Sequence, residues 1–232
     1  MGVLVEVNGL EKAYDRGPVL SDLTLSLDSG RIVGVVGPNG CGKTTFFKIL
    51  AGLIGDYKGR VSIDGYRPGV VTKSIVSYLP EKTYLEDGIR ARDAVAMFAD
   101  FYRDFDRAKA NEMLARFRLE GGMKLKSMSK GMQEKLQLIL VMSRAAKLYL
   151  LDEPLSGVDP AARDTILDII LDNYSENATV LLSTHLIYDV ERIFDDVVVM
   201  DYGKLLTYSS IDALRESSGR SLDEYFREVF KC

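Results

Sequence analysis

The run Gly37-Pro38-Asn39-Gly40-Cys41-Gly42-Lys43-Thr44-Thr45 carries the most specific chemistry in this sequence. It fits the pattern G-x-x-x-x-G-K-[ST]. Closely spaced glycines let successive backbone N–H groups turn inward around an anion, and a helix start adds its dipole. Lys43 would reach the β- and γ-phosphates of a nucleotide, and the Thr44 hydroxyl would ligate Mg²⁺. A second group, Lys147-Leu148-Tyr149-Leu150-Leu151-Asp152-Glu153-Pro154, is an apolar stretch that ends in two acids. Asp152 can hold Mg²⁺ through water, and Glu153 is placed to accept a proton from an attacking water. Alone, the first is a chance glycine turn or a phosphate cradle, and the second a plain acidic strand cap or a catalytic pair. Together they favour nucleotide hydrolysis over simple nucleotide binding.

Hydrophobic spacing identifies the elements that must hold these groups. Val3 to Val7 and Leu23 to Leu27 alternate as strands do, and Arg31 to Val36 is a buried-type run that ends at Gly37. After Lys43 the positions Phe46, Phe47, Ile49 and Leu50 switch to helical spacing, so the glycine run sits between strand and helix, as its chemistry requires. Strands are expected again at 60–64 and 75–79. From about Ala91 to Ala146 the pattern is helical. Ala94, Met97, Phe98, Phe101, Tyr102 and Phe105 form a stripe that Ala110, Met113, Leu114 and Phe117 continue, and Gly121-Gly122 breaks it. A further helix is expected near Lys130. Alternation then resumes with strand 148–151, helix 160–173, strand 179–183, helix 186–194 and strand 197–200. The expected fold class is α/β: a phosphate-loop NTPase core with a mostly parallel sheet, an N-terminal antiparallel β portion and an inserted helical subdomain. Residues 1–89 and 146–232 would form the nucleotide-binding core of a single domain, and 90–145 the helical subdomain.

Composition narrows the classes. The chain has 232 residues, 47% hydrophobic, with net charge −4, which disfavours a nucleic-acid partner held by electrostatics. Its two cysteines, Cys41 and Cys232, make no disulfide framework and fit a reducing compartment. Met1 to Glu6 lack the basic start and apolar stretch of a signal peptide, and no apolar run approaches the roughly 18 residues a membrane span needs. Cys41 lies among backbone N–H groups at a helix start, which would lower its thiol pKa; the plainer reading is a small residue that fits the loop.

Ser129-Lys130-Gly131-Met132-Gln133 stands just before a helix and about twenty residues upstream of Asp152. With the two motifs above, it resembles the signature of ATP-binding cassette (ABC) ATPases, and the likeness extends over nearly the whole chain. The resemblance implies roles for other residues. Tyr14 would stack on adenine, and Tyr78-Leu79-Pro80-Glu81 occupies the glutamine-loop position. Ser156-Gly157-Val158-Asp159 resembles the loop that crosses a dimer interface, with Asp159 near the nucleotide. His185, the only histidine, resembles the switch histidine that hydrogen-bonds the γ-phosphate, and would make hydrolysis pH-sensitive. Ser129, Lys130, Gly131 and Met132 would close the ATP site of a second subunit paired head-to-tail, because one chain does not easily fold two helix termini around one γ-phosphate. Two positions depart from the family pattern. Glu81 replaces the usual glutamine; as a hard oxygen it can still bind Mg²⁺, but it adds negative charge beside the phosphates. Met128, Lys130 and Met132 replace the commoner Leu, Gly and Gln. Lys130 would either add positive charge near the partner's phosphate or remain a solvated lysine.

The resemblance thus implies the ATP-hydrolysing subunit of an ABC transporter, most like bacterial export-type subunits. ATP binding would close a dimer with itself or a homologous subunit, hydrolysis would reopen it, and separate membrane permease subunits would move the substrate. The chain would then be cytoplasmic, peripheral on the inner face of the cell membrane. The alternative is a non-transport ABC ATPase acting on DNA or the ribosome. Against it stand the absence of a long coiled coil between glycine loop and signature, the single cassette and the negative charge. A small-molecule kinase or GTPase would not need the signature or Glu153. The stripe from Phe98 to Phe105 is either the subdomain's own core or part of a groove for a short helix of a membrane partner. The tail Leu222, Tyr225, Phe226, Val229, Phe230 has helical periodicity and either caps the core or joins an interface.

Overall fold

The computed structural model describes residues 2–175 and 177–230, and the backbone alone at Ala161 and Ala162; Cys232 lies outside the described residues. Alternating sequence builds the first layer. β1 (Val3–Tyr14) and β2 (Gly17–Asp28) form an antiparallel hairpin, and β4 (Lys58–Ile63) joins the other edge of β1. Both hairpin strands run well beyond the stretches that alternate cleanly. Register shifts between Val7 and Leu10 and between Leu10 and Lys12 interrupt the period-two pattern without ending the pairing.

The second layer is a six-stranded sheet of order β5-β6-β7-β3-β8-β9, in which β5 (Val76–Leu79), β6 (Leu148–Asp152), β7 (Thr179–Thr184), β3 (Ile32–Val36) and β8 (Asp196–Asp201) are parallel and β9 (Lys204–Ser210) is antiparallel. The parallel strands are continuously apolar because both faces are covered. Leu148, Leu150, Leu181 and Val198 point toward α1 (Lys43–Leu50) and the three-stranded layer. Their neighbours Tyr149, Leu151, Val180, Leu182 and Val199 point to the opposite cluster, shared with α2 (Ala91–Phe101), α3 (Arg107–Arg116), α4 (Lys130–Met142) and α5 (Pro160–Asn173).

The helical stripe ends earlier than its spacing suggests. Phe101, the last residue of α2, is 78% exposed, and the chain turns before Asp106, whose carboxylate accepts from the Lys109 N–H to cap α3. Arg144, 4% exposed, pins this turn. Its guanidinium meets both Asp104 carboxylate oxygens, donates to the carbonyls of Val76, Lys73 and Ser74, and lies 4.0 Å from the Tyr102 ring centroid. The helix expected over 186–194 is instead the short α6 (Ile187–Val190) followed by a 3₁₀ turn. Phe194 leaves helical geometry to lay its ring over Gly34, where a Cβ would collide with it. β9 is followed by α7 (Ile211–Ser218), which buries Ile211 and Leu214. The tail forms α8 (Leu222–Phe230) and caps the core: Leu222 is buried, Phe226 and Phe230 pack on the helical cluster, and the Tyr225 hydroxyl lies 3.0 Å from the Thr207 hydroxyl. Among the described residues, no helix is long and apolar enough to cross a membrane.

Candidate functional site

Beyond Val36 the backbone loops through Gly37–Gly42 and enters α1 at Lys43. Gly42 sits at φ 109°, a conformation L side chains rarely adopt, and a Cβ at Gly37 would strike the Met200 carbonyl and the Cys41 sulfur. The Lys43 ammonium, 6% exposed as a residue, curls back over the loop. It donates to Gly37 O at 2.8 Å and Pro38 O at 3.3 Å, and lies 3.8 Å from Glu153 Oε1. Cys41 is buried, and that burial raises its thiol pKa despite the opposing pull of Lys43 and the loop N–H groups. The lowered thiol pKa is therefore not realised, and Cys41 fits the loop as a small residue.

The two acids emerge at the carboxyl end of β6, directly opposite the end of β7, with Asp152 and Ser183 in register. Asp152 is 1% exposed. Burial raises its pKa, hydrogen bonds from Ser183 and Thr44 pull it down, and the Glu81 charge pushes it up again. Glu153 adopts φ 52°, a left-handed backbone that costs a non-glycine residue about 1–3 kcal/mol. That turn swings its carboxylate between Lys43 and His185, whose Nδ1 lies 2.9 Å from Glu153 Oε2.

These groups converge on one cavity of about 430 Å³. Asn39, Gly40, Gly42, Lys43, Thr44 and Thr45 line it with Glu81, Glu153 and His185. Ser156, from the 156–159 loop, and Val19, which the sequence did not single out, complete the wall. Tyr14 lies in an adjoining depression that shares Val19; it is 48% exposed, with the Lys12 ammonium 4.7 Å from its ring centroid. The oxygen donors of Asp152, Thr44 and Glu81 are hard, and among the described residues no His/Cys/Asp/Glu group forms a cation cage. Such a donor set suits Mg²⁺, which keeps waters and takes most of its ligands from a substrate's phosphates.

The signature residues do not line this cavity. Ser129 caps α4 by accepting from the Met132 N–H at 3.3 Å, and Met132 packs against the helical core. Of the two readings of Lys130, the geometry adds a third. Its side chain lies over Gly157 in the 156–159 loop of the same chain, 3.8 Å from Glu134 Oε1. Burial pushes Glu134 up to about 7 against the opposing charge of Lys130, and its Oε2 has no hydrogen-bond partner. Asp159 is exposed at the N-cap of α5 and makes no side-chain capping bond. A second cavity of about 710 Å³ shares Thr44 and Glu81 with the first, includes Asp152 in its wall, and runs to Tyr84, Phe98 and Tyr102. The aromatic stripe is core at Phe98, and part of it also lines this groove. Phe98 packs between Tyr102 and Phe105, and the same ring forms a wall of this groove.

Residues 20–156 match the family model described as ABC transporter. The ABC-type transporter ATP-binding protein EcsA of Bacillus subtilis is 29% identical over 98% of this chain and 97% of its own length. The daunorubicin resistance ATP-binding protein DrrA3 of Streptomyces coeruleorubidus is 29% identical over 97% of this chain and 74% of its own. A solved structure titled as the ATP binding subunit of an ABC transporter superposes with a TM-score of 0.86 at 30% identity, covering 98% of this chain and 99% of that one. With the glycine loop, the paired acids and the signature helix in one fold, the chain belongs to the ABC transporter family as an ATP-binding subunit.

Proposed function

We propose that this chain hydrolyses ATP to drive movement of a substrate through separate membrane permease subunits. The observation that carries the reading is the Glu153 carboxylate, held 3.8 Å from the Lys43 ammonium and 2.9 Å from His185 Nδ1 at the mouth of the glycine loop. The N–H groups of Gly37–Thr45 would wrap the β- and γ-phosphates, Lys43 would turn from the loop carbonyls to them, and Tyr14 would stack on adenine. Glu153 would take the proton of the attacking water, with His185 holding the γ-phosphate. Thr44, Asp152 and Glu81 are the residues that would hold Mg²⁺, which when bound neutralises charge building on the transferred phosphoryl group.

The site would be completed by a second copy or a homologous subunit. Ser129 and Lys130 are exposed at the start of a helix that does not line the chain's own cavity, and Asp159 is exposed as well. A head-to-tail pair would bring each signature to the other's γ-phosphate. Residues 90–145 would act as the part that reports closure, and the 710 Å³ groove between them and the core would receive a short helix of the permease. The resistance function named for DrrA3 supports export as the direction, and such a subunit would work at the cytoplasmic face of the membrane.

Glu153→Gln tests the core of this reading. It keeps size and removes the base, so hydrolysis should fall by at least about 100-fold while ATP binding persists. ATP should then accumulate a dimer, read by light scattering after gel filtration. Hydrolysis at the wild-type rate would overturn the assignment.

A further inference from the structure

We propose that Ser183 is a positioning residue for the hydrolytic site, one hydroxyl that sets both acids at once. This rests on the hydrolytic reading of Asp152 and Glu153 given above. Ser183 is fully buried near the end of β7, in register with Asp152 on β6. Its Oγ donates to Asp152 Oδ1 at 2.7 Å and accepts from the Glu153 N–H at 2.9 Å. The Ser183 carbonyl shares that same N–H at 3.1 Å. The direction of the bonds is fixed: a carboxylate only accepts, so the hydroxyl proton goes to Asp152 and its lone pair is left for Glu153.

Each bond has a separate consequence. The first holds Asp152 Oδ1 from behind and fixes the rotation of its carboxylate, whose Oδ2 lies 3.5 Å from the Tyr78 hydroxyl. The second supports the left-handed backbone at Glu153, φ 52°, which aims that side chain at Lys43 and His185. Strained backbone of this kind persists only where neighbours over-determine it. Leu181 and Leu182 precede Ser183 and all three are buried, so the apolar packing of β7 does not itself call for a hydroxyl. The hydroxyl is the part that a purely structural strand would not require.

The experiment compares wild type, Ser183→Ala and Ser183→Thr, with Ser183→Cys as a size-matched variant that weakens the hydrogen bonds. ATP turnover is followed across an Mg²⁺ titration, and binding of a fluorescent ATP analogue is measured with EDTA and with Mg²⁺. Loss of a group that orients a metal-binding residue costs about 10–100-fold. Ser183→Ala should lose that much in turnover or in Mg²⁺ requirement, yet bind the analogue in EDTA within about twofold of wild type. Ser183→Thr, which restores the hydroxyl, should recover most of the loss, and Ser183→Cys should fall between. Wild-type Mg²⁺ dependence and turnover in both Ser183→Ala and Ser183→Cys would overturn the proposal. So would equal losses in EDTA and Mg²⁺, which would mark a general structural role. A wild type without Glu153-dependent hydrolysis would instead overturn the parent reading, and this one with it.

Discussion

Two helices in this chain begin where an anion could sit, and they are finished to different degrees. α1 starts beneath a loop whose lysine is already bonded to two carbonyls and whose facing acids are fixed, Asp152 by burial and a hydrogen bond and Glu153 by a left-handed backbone. α4 starts at Ser129 on the surface; Glu134 one turn on leaves a carboxylate oxygen unpaired, and Lys130 folds over a neighbouring loop. The first terminus is preorganised within one chain. The second is exposed at Ser129 and Lys130, which suits a surface whose ligand would arrive with another subunit.

The sharpest way to break this contrast is complementation. Lys43→Ala removes the phosphate-facing charge from one terminus, and Ser129→Arg blocks the other. Each alone should lower hydrolysis on the order of 100-fold. Mixed in equal amounts, they should form heterodimers that keep one intact composite site if the pairing is head-to-tail, and activity should recover to about a quarter of wild type. A mixture as inactive as its parents would place the signature's role within its own chain. A smaller effect is expected at His185. It is 43% exposed at its side chain and touches Glu153, so His185→Ala should cut turnover about 10–100-fold while ATP binding changes little. Wild-type turnover in that variant would remove it from the finished half.

The smallest effect concerns the unfinished terminus. The Glu134 pKa lies near 7, above its ordinary 4.5, so the folded state binds a proton the unfolded chain has released. That contribution is complete below about pH 4.5 and is lost as pH rises through 7. Glu134→Gln should therefore melt on the order of 2–4 °C above wild type at pH 8, and no higher than wild type near pH 5. Parallel melting curves across that range would show that the signature helix carries no such penalty.

The glycine run and the acid pair were legible because spacing encodes their chemistry directly, whereas Tyr14, Glu81 and His185 were read only through the family resemblance. Gly37 to Thr45 is one unbroken run and Asp152-Glu153 another, and strand and helix periods flank them. What stayed hidden depends on contacts between distant segments. Ser183 looks like one polar residue in an apolar strand until β6 and β7 are set in register. Val19 enters the phosphate-loop cavity only through the folding of separate layers. The end of α2 at Phe101 is dictated by an arginine more than forty residues away, through Asp104. The helix lost near Phe194 reflects a ring needed over Gly34, which no local propensity records.

Arg144 has a consequence for how the protein can be taken apart. Its carbonyl partners lie at residues 73–76, its carboxylate partner at 104, and it follows α4 directly. A fragment cut to the helices alone would carry a guanidinium stripped of three acceptors. The remainder would expose those carbonyls at the edge of its sheet. Neither piece inherits a finished surface, so the helical insert is better exchanged between relatives together with residues 73–76 than expressed by itself.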